Sequence, residues 1–190
     1  MVQTRTKREL KEALKKVLLK KSILKITIKD ITEECGVNRM TFYYHFHDIY
    51  ELVEWLWRDD IESAFRGMNT HDMWWQGYFQ VFQIFLEEKK VIKNLCIEKY
   101  SEHIKKTMYT FTFNLMMELV EEEAVDTKIS REDKEFIAEF YKYVFVGITL
   151  DWIKDGMKKD PKQIIKQLGI LMEGNVKRAV QACQDNQDTI

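Results

Sequence analysis

The sequence predicts an all-α fold of about nine helices, on three observations. Apolar residues recur at three- and four-residue spacing along most of the chain, and strand-like alternation is nearly absent. One proline and seven glycines among 190 residues leave little room for long loops or low-complexity linkers. Several helix starts carry a capping residue three positions ahead of an acidic one. With 45% hydrophobic and 13% aromatic residues the chain can fill a sizeable core, and its length suits one or two small domains.

The first helix is expected from about Thr4 to Lys20, with Thr6 and Glu9 at capping-box spacing. Leu10, Leu14, Val17 and Leu18 form its inner stripe, and Arg5, Lys7, Arg8, Lys11, Lys15 and Lys16 are placed outside as a solvated face.

Thr27 to Phe46 reads as two short helices around a tight turn. Thr27 caps the first, with Asp30 three residues on, and Ile28, Ile31 and Cys35 share a face. Thr32 and Cys35 are small enough for a close helix approach. Gly36 sits where a helix ends in a left-handed residue, a conformation glycine adopts without steric cost. Asn38 is a good cap for the second helix. This is a helix-turn-helix pattern, whose second helix enters the DNA major groove. That helix carries Arg39, Met40, Thr41, Tyr43, Tyr44 and His45, with Phe42 and Phe46 four apart and facing inward. Arginine and threonine reach base edges or phosphates, and tyrosine hydroxyls bond phosphate oxygens. Either tyrosine alone reads equally as half-buried packing; the cluster behind a capped turn favours DNA. The candidate DNA-binding residues are Thr27, Asn38, Arg39, Met40, Thr41, Tyr43, Tyr44, His45 and His47. Arg39 is the leading base contact and Thr41 a second, while Tyr43, Tyr44, His45 and Thr27 suit phosphates.

Val37 to Phe46, with T-I-K-D-I at Thr27 to Ile31 and Y-E-L at Tyr50 to Leu52, resembles the recognition segment of the tetracycline-repressor family of bacterial regulators. The resemblance covers about 50 residues. It implies an all-helical dimer with a three-helix DNA-binding domain joined to a variable ligand-sensing domain. One position departs from the pattern. Many members carry a phosphate-contacting lysine at the start of the fourth helix, where this chain has Ile49, preceded by His47 and Asp48.

The fourth helix begins at Asp48 as cap, with Ile49, Leu52, Val53 and Leu56, then Trp57, Ile61, Ala64 and Phe65, as its stripe. Gly67 to Thr70 breaks the pattern. The expected organisation is therefore a DNA-binding domain over residues 1–47, a linking helix over 48–66 and an effector and dimerisation domain over 67–190. The fifth helix, Asp72 to Glu88, holds Trp75, Tyr78, Phe79, Phe82, Phe85 and Leu86 at helical spacing. These aromatics read first as core and second as a pocket wall. A short sixth helix, Lys89 to Ile97, carries Val91, Ile92, Leu95 and Cys96. The seventh, Ser101 to Glu123, has a stripe of Ile104, Met108, Phe111, Leu115 and Leu119, with Met116 and Met117 as adaptable surface. Tyr100, His103 and Tyr109 offer polar tips. The candidate ligand-pocket residues are Trp75, Phe79, Phe82, Tyr100, His103, Met108, Phe111 and Tyr143.

Ser130 caps the eighth helix, which runs to about Lys158 and is apolar on two faces. Ile137, Tyr141, Val144, Ile148 and Trp152 form one; Phe136, Phe140, Tyr143, Gly147 and Leu150 form the other. Two apolar faces require two apolar surroundings, the second being a partner subunit. Asp160 and Pro161 start the ninth helix, which extends to Cys183. In the resembled family the last two helices form a four-helix bundle with their twins. The candidate dimer-interface residues are Phe140, Gly147, Leu150, Ile165, Leu168, Met172, Val176 and Ala179.

Charge is divided unevenly: the first 50 residues carry 11 basic and 6 acidic side chains, the remaining 140 carry 19 and 25. A basic head on an acidic body fits DNA binding. The three cysteines, Cys35, Cys96 and Cys183, are far apart and fit no disulfide or zinc spacing, which suits a reducing cytoplasm. No signal peptide or membrane span is expected. His45 and His47 do not share a helical face, no nucleophile and base stand together, and no glycine-rich phosphate loop occurs, so neither an enzyme, a metal nor a cofactor is expected. The expected function is a dimeric, sequence-specific regulator, a repressor, binding double-stranded DNA at a pseudo-palindromic operator and sensing a small apolar or amphipathic ligand. The alternative comes from G-I-T-L-D-W-I-K-D-G-M-K-K-D-P at Gly147 to Pro161, which resembles the dihydroxyacetone-kinase operon regulator subgroup. That resemblance implies an activator or repressor controlled by a partner protein.

Overall fold

The computed structural model describes residues 2–66, 74–96 and 98–187, and the side chains of 5–66, 74–96 and 102–186. Among them the chain forms ten α-helices and no strand. These are α1 (Val2–Leu18), α2 (Ile28–Cys35), α3 (Arg39–His45), α4 (Ile49–Ala64), α5 (Trp74–Glu87), α6 (Lys89–Leu95), α7 (Glu98–Glu123), α8 (Arg131–Lys154), α9 (Pro161–Met172) and α10 (Asn175–Gln187). The all-α expectation therefore holds. The expected break at Gly67 to Thr70 and the start at Asp72 lie outside the described residues.

Local chemistry sets most helix ends. Thr27 and Asp30 form a complete capping box, the Thr27 hydroxyl accepting the Asp30 amide and the Asp30 carboxylate accepting the Thr27 amide. Asp48 accepts the Glu51 amide at 2.9 Å, and Ser130 accepts that of Asp133 at 3.0 Å. Asp160 caps α9 with Pro161 in the first turn. Three expectations fail. Thr6 lies inside α1 and caps nothing; Arg5 instead pairs with Glu9 one turn on, at 2.9 Å. α8 stops at Lys154, because Gly156 (φ 79) and Met157 (φ 57) enter the left-handed region. The expected ninth helix is divided into α9 and α10 at Gly174, whose φ is 67.

The chain packs as two compact units, Met1–Ser63 with Ile84–Thr107, and Ala64–Gln83 with Met108–Ile190. In the first, Leu10 and Leu14 of α1, Ile31 of α2, Phe42 of α3 and Leu52, Leu56 and Trp57 of α4 are sealed from solvent. Trp57 meets Phe85 edge to face, ring centroids 4.8 Å apart. Lys11 and Lys15 were expected outside but are only 7% and 8% exposed. Their ammonium groups turn inward because carboxylates are waiting there. Lys11 pairs with Asp59 at 2.6 Å and Asp60 at 2.5 Å, and Lys15 with Asp60 at 3.0 Å and Glu88 at 2.6 Å. Asn94 of α6 closes the turn after α1, donating to the Leu18 and Lys21 carbonyls and accepting the Ile23 amide.

In the second unit the Tyr78 hydroxyl donates to the Phe145 carbonyl at 2.9 Å and lies 2.8 Å from the Thr149 hydroxyl. Burial pushes the Tyr78 phenol well up, so it stays protonated. The core stripe of α8 runs through Ala138, Tyr141, Phe145, Thr149 and Trp152, one position off the expected face at Val144 and Ile148. In α7 it runs through Met116 and Val120, so Met116 is core rather than adaptable surface.

Candidate nucleic-acid interface

The turn between α2 and α3 presents α3 as a short, rigid plate. Gly36, at φ 75, ends α2, its amide turned back onto the Glu33 and Thr32 carbonyls. Asn38 then caps α3, its Oδ1 accepting both the Thr41 amide at 2.8 Å and the Thr41 hydroxyl at 3.1 Å. Beneath, Phe42 and Phe46 are buried with ring centroids 6.0 Å apart, and Trp55 of α4 packs on Phe46 at 5.9 Å. The buried aromatics leave the opposite face of α3 to solvent.

That face carries the predicted cluster. Arg39 is exposed, and Met40 and Tyr44 are 75% and 70% exposed. Tyr43 is exposed and packs the edge of its ring against Phe42 at 5.8 Å. Tyr44 meets His45 edge to face at 5.0 Å. Burial, with Lys7 nearby, holds the His45 imidazole below its usual range, so at neutral pH it offers an uncharged N–H. Thr41 is half-buried and its hydroxyl proton serves the Asn38 cap, which leaves it as an acceptor. Thr27 is likewise committed to its capping box. Asp30 is held near about 2 by Lys21 at 2.5 Å and by the Thr27 amide, so the box stays charged. His47 is exposed, its amide donating to Glu51 at 2.6 Å and its ring 3.5 Å from Asp48. Sequence reasoning missed Lys7, whose ammonium lies 5.2 Å from the Phe46 ring centre and 6.0 Å from that of Trp55. Its partners are 39 and 48 residues away, beyond the reach of helical spacing.

The expected ligand pocket is not assembled as a set. Phe82 is fully buried and Met108 nearly so, each in the core of the second unit. Phe79 and Phe111 are half-buried there, and Phe111 packs on Phe65 at 5.7 Å. Tyr143 is exposed, its ring holding the Lys142 ammonium at 4.6 Å. His103 belongs to the first unit, bonded to Glu54 at 3.0 Å beside the Tyr50 ring. The side chain of Tyr100 lies outside the described residues. Of the seven with described side chains, Trp75 alone lines the cavity of about 300 Å³ between α5, α8 and the α9–α10 break, with Trp74, Phe145, Met172 and Glu173.

The expected interface residues also separate. Phe140 is exposed; Gly147, Leu150, Ile165, Met172 and Ala179 are half-buried; Leu168 and Val176 are buried in their own unit. Phe136, Phe140 and Tyr143 on α8, and Ile170 and Leu171 on α9, are the large apolar side chains left exposed on these two helices. Among the described residues no helix is long and apolar enough to cross a membrane, and no cluster of three or more metal-ligating side chains occurs.

The chain is similar to known regulators at both ends. A profile of bacterial regulatory proteins of the tetR family matches residues 10–56, and one described as a transcriptional regulator C-terminal region matches 72–174, more than half of the chain. The HTH-type dhaKLM operon transcriptional activator DhaS of Lactococcus lactis subsp. lactis (strain IL1403) is 24% identical over 169 residues, covering 86% of this chain and 88% of that one. Among solved structures, the dihydroxyacetone kinase operon activator DhaS superposes with a TM-score of 0.64 at 19% identity, over 90% of this chain and 96% of that one. NalD, the secondary repressor of the MexAB-OprM multidrug efflux pump in Pseudomonas aeruginosa, superposes with a TM-score of 0.59 at 15% identity, over 89% and 96%. At these identities the superpositions establish the fold, and the two profiles establish the family. The chain belongs to the tetR family of bacterial regulatory proteins and is a DNA-binding transcriptional regulator.

Proposed function

We propose that the protein is a homodimeric repressor that reads a pseudo-palindromic operator with α3 and releases it when the second unit binds a small apolar or amphipathic ligand. The observation that carries this reading is the exposed face of α3, held between the Gly36 turn and the buried Phe42–Phe46 pair. Arg39 and Met40, exposed at its N-terminal end, are assigned to base edges in this reading. Tyr43, Tyr44, His45 and His47, with the amides at the Thr27 cap, serve phosphates, and Thr41 accepts. No lysine opens α4, so Ile49 gives no phosphate contact there and the head relies on α3 and α1. Phe136, Phe140, Tyr143, Ile170 and Leu171 supply the apolar cover for a twin subunit. Such a dimer reads half-sites about 34–36 Å apart. A ligand shifts occupancy by its differential affinity for the DNA-competent arrangement.

The test is fluorescence anisotropy on duplex DNA from upstream of the protein's own gene, titrated in salt against random competitor, with sedimentation to give the oligomeric state. Saturable binding that survives competitor supports the reading; equal, salt-labile binding to every duplex, on genomically selected DNA as well, refutes it. Arg39→Ala should cost roughly 1–3 kcal/mol of affinity and relax preference at one base position. A uniform loss on all sequences would move Arg39 to the phosphates.

A second reading, control of the second unit by a partner protein, is favoured by the same exposed apolar residues of α8 and α9 and by the likeness to the operon activator DhaS. Release assays separate the two: operator binding that a small ligand alone alters supports the first, and an effect that requires a second protein supports the other.

A further inference from the structure

We propose that the cavity between the Trp74–Trp75 pair and the α9–α10 break binds a small organic cation with an apolar body, with Glu173 as its counter-ion. This rests on the reading of the second unit as the sensing part. Its volume of about 300 Å³ stands at the small end of ligand sites, which run roughly 300–1,000 Å³.

Two observations select a cation, and a third gives it room. The first is the wall. Trp74 and Trp75 meet at 87°, and Phe145 lies at 66° to Trp74 and 63° to Trp75, with centroids 4.5–6.1 Å apart. Rings at steep mutual angles turn negative π faces in several directions, the arrangement that holds an ammonium group. Tyr78 stacks on Trp74 and covers one of its faces, so Trp75 and Phe145 supply much of the cage. The second is the charge. Among the described residues lining the cavity, Glu173 is the one ionisable side chain, with no lysine or arginine beside it. Glu173 is exposed at the C-terminal end of α9, so its carboxylate stands at the mouth of the cavity. The third is Gly169. It lies inside α9, where glycine is less stable than alanine by about 1 kcal/mol. A Cβ placed there would meet nothing within 4 Å, so no protein neighbour requires the glycine. The space it leaves is part of the cavity wall and is open to an occupant.

The probe is benzyltrimethylammonium, titrated into the full chain and followed by tryptophan fluorescence and calorimetry. Saturable binding is expected, stronger than that of its neutral carbon isostere neopentylbenzene and of the anion 3-phenylpropionate. Glu173→Gln should weaken it by about tenfold, the scale of one well-placed charge. Gly169→Leu should abolish it while leaving the helical circular dichroism and thermal midpoint unchanged or raised. Equal binding of the neutral or anionic probe, or undiminished binding to Glu173→Gln, overturns the proposal. DNA binding measured on the same preparation separates the two readings. Intact DNA binding without cation binding overturns this inference alone; absent DNA binding on selected sequences overturns the regulator reading.

Discussion

Asp60→Ala removes the shared carboxylate of the buried cluster in the first unit. Asp60 contacts both lysines, at 2.5 Å from Lys11 and 3.0 Å from Lys15, and is itself 6% exposed. Breaking a buried ion pair by deleting one partner costs about 3–5 kcal/mol, because the other charge is left without compensation. Here each lysine retains a second carboxylate, Asp59 for Lys11 and Glu88 for Lys15, each at 2.6 Å. The loss therefore falls at the low end, about 3 kcal/mol. For a chain of this size each kcal/mol moves the midpoint by roughly 2–4 °C, so a fall of about 6–12 °C is expected in thermal unfolding. The loss should fall on the first unit, which holds Lys11, Lys15, Asp59, Asp60 and Glu88. A shift under about 2 °C would mean that the lysines lose nothing in that site and that the cluster is hydrated, which refutes the reasoning. The protonation of Lys11 carries the same logic. Burial alone would lower its pKa, but Asp59 and Asp60 raise it above 10.5, so its stabilisation is present below that value and is lost as pH rises through the folded one.

Glu88 should impose the same sign at lower pH. Burial raises its carboxyl above 4.5 against the pull of Lys15, and its Oε2 is buried with no hydrogen-bond partner among the described residues. The ionised form therefore costs stability, increasingly as pH rises from 4.5 through the folded value, and Glu88→Gln should flatten that slope in urea unfolding. Asn38→Ala removes the acceptor of both the Thr41 amide and hydroxyl, with an expected loss of about 1 kcal/mol in unfolding and weaker DNA binding in anisotropy. Tyr78→Phe should cost only about 1 kcal/mol by chemical denaturation, because the Phe145 carbonyl keeps the Thr149 hydroxyl at 2.9 Å; a loss of several kcal/mol would mean that the phenol holds α5 on α8 by itself.

The DNA-binding head was legible in the sequence because its determinants are local. Thr27 and Asp30, Gly36, Asn38 and the Phe42–Phe46 pair each act within four residues, and caps, a left-handed glycine and helical spacing decide them without tertiary information. Lys11 and Lys15 were illegible for the converse reason. Their carboxylates lie 45 to 73 residues along the chain, and a helix-face pattern assigns any lysine to solvent until its partner is known.

The second unit adds a different difficulty, since α7 and α8 carry apolar residues around much of their circumference. Periodicity then offers several competing stripes. The fold settles the choice through partners: the Thr149 hydroxyl lies inside between the Tyr78 phenol and the Phe145 carbonyl, and Met116 is fully buried. The stripe left outside, Phe136, Phe140 and Tyr143, follows from that choice. Three aromatics on one exposed helix face expose apolar area that a lone chain gains nothing by keeping, whereas burial against a second surface would return roughly 25 cal/mol for each Å² covered. The same rotation of α8 turns Phe145 toward Trp74 and Trp75. One packing decision thus fixes both the surface offered to a partner and the aromatic wall of the cavity. A substitution that rotates α8, such as Thr149→Leu, should therefore disturb subunit association and ligand binding together, while Phe140→Glu should disturb association alone.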